Sequence, residues 1–353
     1  MNRLRVLPLD ETLARQQSAC ARAGSQLYAD VLGGVIADLR GGGICADVLG
    51  PHGDDEFATA LPLRFLGAVH RVVLDGRAPP LASHYPSAGG APGPTLVDDF
   101  LAAVADHRGE IERRLADTVQ TNEVGRSAAL APGYATVARR WGRPLRVLEI
   151  GASGGLNLRW DRYWYDTGTS TLGDADSPVR FVGSWLDGGA GLPDFGSVDV
   201  VDRAGCDRNP IDVGTDQGRT TLRAYLWPDQ VERRARLEAA FAVAAAVPAT
   251  VEQADLGEWA AARLAEPIPG VATVVAHSIV WQYVPRASRD RLRAALTEAG
   301  ARATADAPLA WLRMEPAGQV ADVRLTSWPR GDEEVLATAE YHGIPVYWGA
   351  PTG

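Results

Sequence analysis

The chain has 353 residues, 46% of them hydrophobic and 22% charged, an ordinary globular composition long enough for one large domain or two moderate ones. Its 44 acidic and 35 basic residues give a formal charge of -9, which removes any general attraction to nucleic acid or an anionic membrane and leaves small molecules or proteins as expected partners. Every basic residue is arginine, so mechanisms built on lysine (a Walker phosphate loop, a Schiff base, the Tyr/Lys pair of short-chain dehydrogenases) are excluded.

In chain order, "MNRLRVLPLDETLARQQSAC" is broken by charges and a proline before it builds an apolar signal region, and no later apolar run reaches membrane-spanning length. Cys20, Cys45 and Cys206 are too few and too far apart for a disulfide framework or a Cys-x-x-Cys metal site. A cytoplasmic protein is expected, with its oligomeric state open. Residues 10–40 carry helical spacing interrupted at Gly24-Ser25, which predicts two helices. "PHGDDE" crowds His52, Asp54, Asp55 and Glu56 together, but a polar run between helices reads as solvated, and no metal is expected. Residues 57–77 and 96–120 each have one apolar face, and the Pro/Gly-rich stretch between them predicts a loop. Tyr85 on that loop is a candidate for substrate contact, beside His84. Residues 1–118 therefore read as an all-α domain.

From Leu145 the pattern changes to short apolar runs alternating with helices: "LRVLEI", "VDVVD" with "AGCD", "ATVEQAD", "VATVVAHSIV" and "APLAWLRME". This alternation predicts an α/β domain over 119–353 built on a mostly parallel sheet. "VRLTSWP" and "VLATAEYHGIPVYWG", joined by a polar turn, predict an antiparallel finish.

The most informative stretch is "LRVLEIGASGGLNL". An apolar strand ends at Glu149, glycines follow at 151, 154 and 155, and "LNL" is expected to open a helix. Glycine suits a turn with positive φ or close ligand approach. A dinucleotide fingerprint needs glycine at 153 and 156, where this chain has Ser153 and Leu156. A nicotinamide-dependent oxidoreductase is therefore the weaker reading. The stretch resembles the first motif of class I S-adenosylmethionine-dependent methyltransferases, an acid followed by Gly-x-Gly-x-Gly, with Ser153 at the central glycine. A serine leaves the turn feasible at a strain of about 1 kcal/mol. The local alternative is a plain strand-to-helix turn.

That resemblance implies a Rossmann-like methyltransferase-type fold with an antiparallel C-terminal strand, capped by the helical domain, and S-adenosylmethionine as cofactor. It places Glu149, Gly151, Ser153, Gly155 and Asn157 around the cofactor. Asp207 at the end of "AGCD" would hold the ribose and Asp255 in "VEQADLGEWA" the adenine amino group, although Asp255 also reads as a helix N-cap. Asp207 lies 52 residues after Gly155 rather than the usual 20 or so, which requires an insertion over about 159–197 and leaves Asp174 or Asp176 as alternative ribose acids. In "VQTNEVGRSAAL", ahead of the first strand, Arg126 would pair with the cofactor carboxylate and Asn122 or Glu123 would face its ammonium or the substrate. At the exit of "VATVVAHSIVWQYVP", His277 and Tyr283 are the candidate catalytic groups and Gln282 a substrate contact. A degenerate or non-catalytic nucleotide-binding sensor or scaffold keeps the same fold.

Across nearly its full length the chain also resembles an uncharacterised bacterial family, domain of unknown function 2332. "LPLRFLGAVHRVVLDGRAPPLASHYPS", "CDRNPID", "LWPDQ" and "HSIVWQYVP" are among the stretches that carry the likeness. It implies no established activity.

Overall fold

The computed structural model describes residues 7–53, 60–187 and 195–349. The chain forms two compact units, a helical one of Met1–Thr121 with Thr215–Ala235 and an α/β one of Asn122–Gly214 with Arg236–Gly353. The helical unit thus recruits 215–235, which by sequence alone belongs to the α/β region.

In the helical unit α1 (Leu9–Arg22) and α2 (Gln26–Arg40) meet at Gly24, which has φ +80, and Ser25, whose hydroxyl accepts from Tyr28 N at 3.4 Å and caps α2. A short α3 (Ile44–Leu49) follows, then α4 (Leu61–Leu74), buried along nearly its whole length. The Pro/Gly-rich segment contains a single-turn α5 (Pro79–Ala82). The predicted helix over 96–120 is instead two, α6 (Leu96–Asp106) and α7 (Arg108–Arg114), broken at His107. Leucines and valines of α2 and α4 close the core with Phe65, Phe100, Tyr28, Tyr85 and Trp227.

What ties 215–235 to this unit is visible at α4. Gly67 leaves room for the Tyr225 ring, which a Cβ would meet at 2.9 Å. Buried His70 hydrogen-bonds Ala224 O at 3.1 Å and the Ser87 hydroxyl at 2.7 Å, and burial pushes its pKa down to about 4, so it is neutral.

The α/β unit begins with α8 (Arg126–Trp141), whose alanines and glycine allow close packing on the sheet; a Cβ on Gly133 would meet Leu312 at 2.6 Å. After it come β1 (Leu145–Ile150), β2 (Trp164–Asp166), β3 (Thr171–Gly173), β4 (Arg180–Phe181), β5 (Leu186–Asp187) and β6 (Val200–Asp207). The helices α9 (Asp216–Ala224) and α10 (Val231–Ala246) lead to β7 (Thr250–Gln253), α11 (Leu256–Arg263), β8 (Ala272–Ser278), α12 (Arg286–Arg302), β9 (Leu309–Ala317), β10 (Val320–Trp328), β11 (Asp332–Ala339) and β12 (Val346–Trp348).

A nine-stranded sheet has the order β5-β12-β11-β10-β9-β8-β1-β6-β7. From β7 to β9 neighbours run parallel; β9 to β12 are antiparallel, and β5 joins β12 in parallel at the edge. The antiparallel part is therefore larger than one terminal strand. "VDVVD" and "AGCD" belong to one continuous β6. The predicted insertion contains a separate three-stranded sheet, β3-β2-β4, with Tyr165 stacked on Phe181 at 5.0 Å.

The connections leave β1 toward β6 and β7 on one side and reach β8 and β9 on the other, so the strand order reverses between β1 and β8. Open α/β sheets bind ligands outside the carboxyl ends of strands at such a reversal. No helix among the described residues is long and apolar enough to cross a membrane.

Candidate functional site

The turn after β1 lies at this reversal. Gly151, Ser153 and Gly155 have φ of +66, +53 and +67, so serine occupies a left-handed conformation between two glycines that do the same. The element after the turn is a 3-10 helix, Leu156–Arg162, kinked at Arg159, and not the expected α-helix.

Every amide from Gly151 to Leu156 has an acceptor within the protein. Gly151 N faces the Cys206 thiol, and Ala152 N donates to Cys206 O at 3.0 Å. Ser153 N donates to Asp207 Oδ2 at 2.9 Å and Gly155 N to Ala152 O at 2.7 Å. Asn122 Oδ1 accepts from both Gly154 N at 3.1 Å and Leu156 N at 3.0 Å. Asn122 and Asp207 therefore brace the turn from two sides. Asn157 continues the bracing: its Oδ1 accepts from the Ser127 hydroxyl at 2.7 Å and its Nδ2 donates to Glu123 O at 3.2 Å. The Glu123 carboxylate accepts from Gly125 N at 3.0 Å.

Glu149 contrasts with these neighbours. It is 5% exposed, and its Oε2 has no hydrogen-bond partner among the described residues. Burial raises its pKa to about 8 with help from Asp207, against the opposing pull of Arg159 and Arg126. Both arginines aim donors at main-chain carbonyls: Arg126 at Tyr341 O (3.1 Å) and Ser278 O (3.4 Å), Arg159 at Val247 O (2.8 Å) and Gly155 O (2.6 Å).

The exit of β8 carries a second strained residue. Ile279 has φ +49, unusual for a β-branched side chain, and its amide donates to Met314 O at 2.8 Å. The next residue, Val280, covers Gly151, where a Cβ would meet its Cγ2 at 2.5 Å. Glu315, at the end of β9, anchors this exit: it hydrogen-bonds His277 Nδ1 at 2.7 Å, Val280 N at 3.1 Å and Trp281 N at 3.2 Å.

Side chains alternate along a strand. Leu148, Ile150 and Val275 pack in the core with Trp259, Leu292 and Leu296 of α11 and α12, so His277 points to that face and Glu149 to the α8 face. His277 is fully buried, stacked on Trp281 at 5.4 Å, and its Nε2 has no hydrogen-bond partner among the described residues. His277 and Glu149 are thus not brought together. Tyr283 is 40% exposed and feels the charge of Arg126; Gln282 beside it is exposed too.

Glu149, Asp207 and Asp255 stand at the ends of the adjacent strands β1, β6 and β7. Asp255 caps α11, accepting from Gly257 N at 3.0 Å and Glu258 N at 3.3 Å, while Oδ2 takes the Ser288 hydroxyl and Arg291 at 3.1 Å. Asp174 and Asp176 lie exposed in a turn after β3, where Asp174 accepts from Asp176 N at 2.9 Å. Tyr85 is fully buried in the core of the helical unit, its ring 5.5 Å from His70, and has no surface to offer substrate. No group of three His, Cys, Asp or Glu side chains is placed to hold a metal among the described residues. Asp54, Asp55 and Glu56 lie outside them.

Three residues that hold the site together escaped the sequence reading. Glu315 ends a strand that was recognised, Arg159 lies just past the quoted glycine stretch, and Val280 sits beside the residues that were chosen; none carries a local motif.

The chain belongs to the family described as "Uncharacterized protein conserved in bacteria (DUF2332)", which matches residues 10–348. No curated protein and no solved structure matches it.

Proposed function

We propose that the α/β unit binds S-adenosylmethionine and that the protein is a methyltransferase for a small molecule. One observation carries this reading. The turn after β1 keeps its positive-φ geometry while its amides are all engaged internally, and the acid that ends the strand before it, Glu149, is buried with its Oε2 unpartnered among the described residues. A pyrophosphate needs free amides at such a turn. A nucleoside without phosphates, bearing a positive charge, needs an acid and room. The sequence of strands from β7 to β9 agrees with the class I methyltransferase order.

Glu149, Arg126 and the turn from Gly151 to Gly155 would hold such a cofactor. Asp207 keeps lone pairs beyond its bonds to Ser153 N and Asn209 N for ribose hydroxyls. When bound, the cofactor supplies a methyl group on a sulfonium sulfur. The protein's part is then to align an acceptor and exclude water. Tyr283 and Gln282 are the exposed groups at the β8 exit for that task, with the Tyr283 hydroxyl, a phenol that stays protonated, able to orient the acceptor by hydrogen bonding. His277, turned to the opposite face, acts on this reading as a positioning residue for the exit turn.

Specific observations favour a second reading, a non-catalytic binder. Asp255 is fully engaged as a cap, and Val280 lies over Gly151.

A thermal-shift comparison tests the proposal. S-adenosylmethionine or S-adenosylhomocysteine at about 100 times its dissociation constant adds about 2.7 kcal/mol, which moves melting by several degrees. A shift with both and none with NADPH is expected. A shift with NADPH alone overturns the proposal, and so does none with either sulfur nucleotide; binding without methyl transfer to any acceptor favours the second reading.

A further inference from the structure

We infer that residues 280–283 form a strap closed over the glycine turn, with strained Ile279 as its hinge and Val280 as its plug, and that a ligand reaches the turn only when the strap lifts. The hinge stands on geometry alone; the kind of ligand it admits, a sulfur nucleoside, rests on the S-adenosylmethionine reading above.

Three features of the α/β unit meet at this place. Ile279 has φ +49, an outlier for a β-branched residue, and such a conformation persists only where its surroundings impose it. Glu315 imposes it, since its carboxylate accepts from Val280 N at 3.1 Å and Trp281 N at 3.2 Å. The imposed turn sets half-buried Val280 down on Gly151, where a Cβ would meet Cγ2 at 2.5 Å. The gap between the ends of β1 and β8, the place where open α/β sheets take ligands, is thus filled by the chain's own side chain.

Both ends of the strap are tied to the sheet or to α12. Ile279 N donates to Met314 O at 2.8 Å, and Val284 O accepts from Arg289 Nε at 2.7 Å, with Pro285 next in the chain. Between these anchors Tyr283 N donates to Val280 O at 2.9 Å, closing a 3-10 turn (Trp281–Tyr283) that holds its own shape. Besides Val280, the Glu315 bonds and the Trp281 ring, stacked on His277 at 5.4 Å, hold this turn down. Lifting breaks those contacts and lets Ile279 return to negative φ, so released strain offsets part of the loss. The motion carries exposed Gln282 and Tyr283 with it, so uncovering the turn and moving the groups that face an acceptor are one event.

Hydrogen exchange of the ligand-free full chain reads the opening at the Val280 and Trp281 amides. Ile279→Gly and Ile279→Ala remove nearly the same packing, but glycine alone is at ease at φ +49. After correction for intrinsic rates, these amides should exchange about tenfold more slowly in Ile279→Gly than in Ile279→Ala, the worth of left-handed strain. Val280→Ala, which removes the plug and keeps the hinge, should exchange faster than the native chain. Equal rates in the two hinge variants, or the reverse order, overturn the inference; a side chain that merely packs would give one of those results.

S-adenosylhomocysteine should then bind in proportion to the open fraction, about tenfold more weakly to Ile279→Gly than to Ile279→Ala and more tightly to Val280→Ala than to the native chain. Equal affinities across the set overturn the strap as a gate and leave the S-adenosylmethionine reading intact. The expected order of exchange with no binding by any variant overturns that reading and supports the hinge.

Discussion

Ser153 shows how a single residue can depart from a motif and keep its geometry. Its left-handed φ of +53 continues the pattern set by Gly151 and Gly155, and Asp207 and Ile211 hold its amide and carbonyl at 2.9 and 3.1 Å. A left-handed L-residue costs about 1–2 kcal/mol, and two main-chain hydrogen bonds offset a cost of that order. The substitution and its strain were legible in the sequence; the residues that offset the strain were not, because Asp207 and Ile211 lie more than fifty positions away. Gly151 is less tolerant. Gly151→Ala combines φ +66 with a Cβ 2.5 Å from Val280 Cγ2, and a loss of roughly 2–4 kcal/mol is expected by chemical denaturation. Unchanged stability would mean that Val280 moves aside freely and that the space above the turn is open. Asp255 illustrates the opposite case, since the N-cap it forms was readable from "ADLGEW" alone.

Among elements, the pairing of β8 with β9 decides what His277 can do. Both strands were legible as apolar runs, but their parallel register, His277 beside Arg313, was not, and only that register brings Glu315 to the imidazole. The carboxylate also holds the amides that follow strained Ile279. Glu315→Ala leaves a buried ring nitrogen and two amides without their acceptor, and a loss of about 2–4 kcal/mol is expected, with a change in tryptophan emission as Trp281 shifts. Glu315→Gln keeps an acceptor oxygen and should lose less. Equal stability of Glu315→Ala and the native protein would show that the turn is held by packing instead. Elsewhere, local chemistry misled at breaks. Nothing between Asp106 and Arg108 disrupts helical periodicity, yet the chain turns at His107. The glycine turn opens a 3-10 helix, and the Arg159 guanidinium reaches back from it to Gly155 O.

At the scale of the molecule, the helical-then-α/β organisation was legible from periodicity, whereas the membership of 215–235 was not. Its composition is that of any surface helix and turn. Its place is set by distant partners: Gly67 against Tyr225, Arg71 bonded to Thr221 at 3.1 Å, and Asp229 accepting from the Ser25 hydroxyl at 2.6 Å and Leu27 N at 3.2 Å. A chain shortened to residues 122–353 therefore strands α9 and Trp227 without the core they complete. Increased binding of a hydrophobic dye and a lower melting temperature than the full chain are expected. Native-like melting of the shortened chain would show that 215–235 folds without the helical unit.

The recruitment of 215–235 also sets an order of events during synthesis. Domains generally fold as units as they leave the ribosome, amino-terminal ones first. Here the first unit lacks Trp227 and the Asp229 that holds the start of α2 until 235 residues have emerged, by which time β1 and its glycine turn are already outside the exit tunnel. The leading half must wait, incomplete, for a segment made after much of the second half, which is an opening for chaperones that a contiguous arrangement would not present.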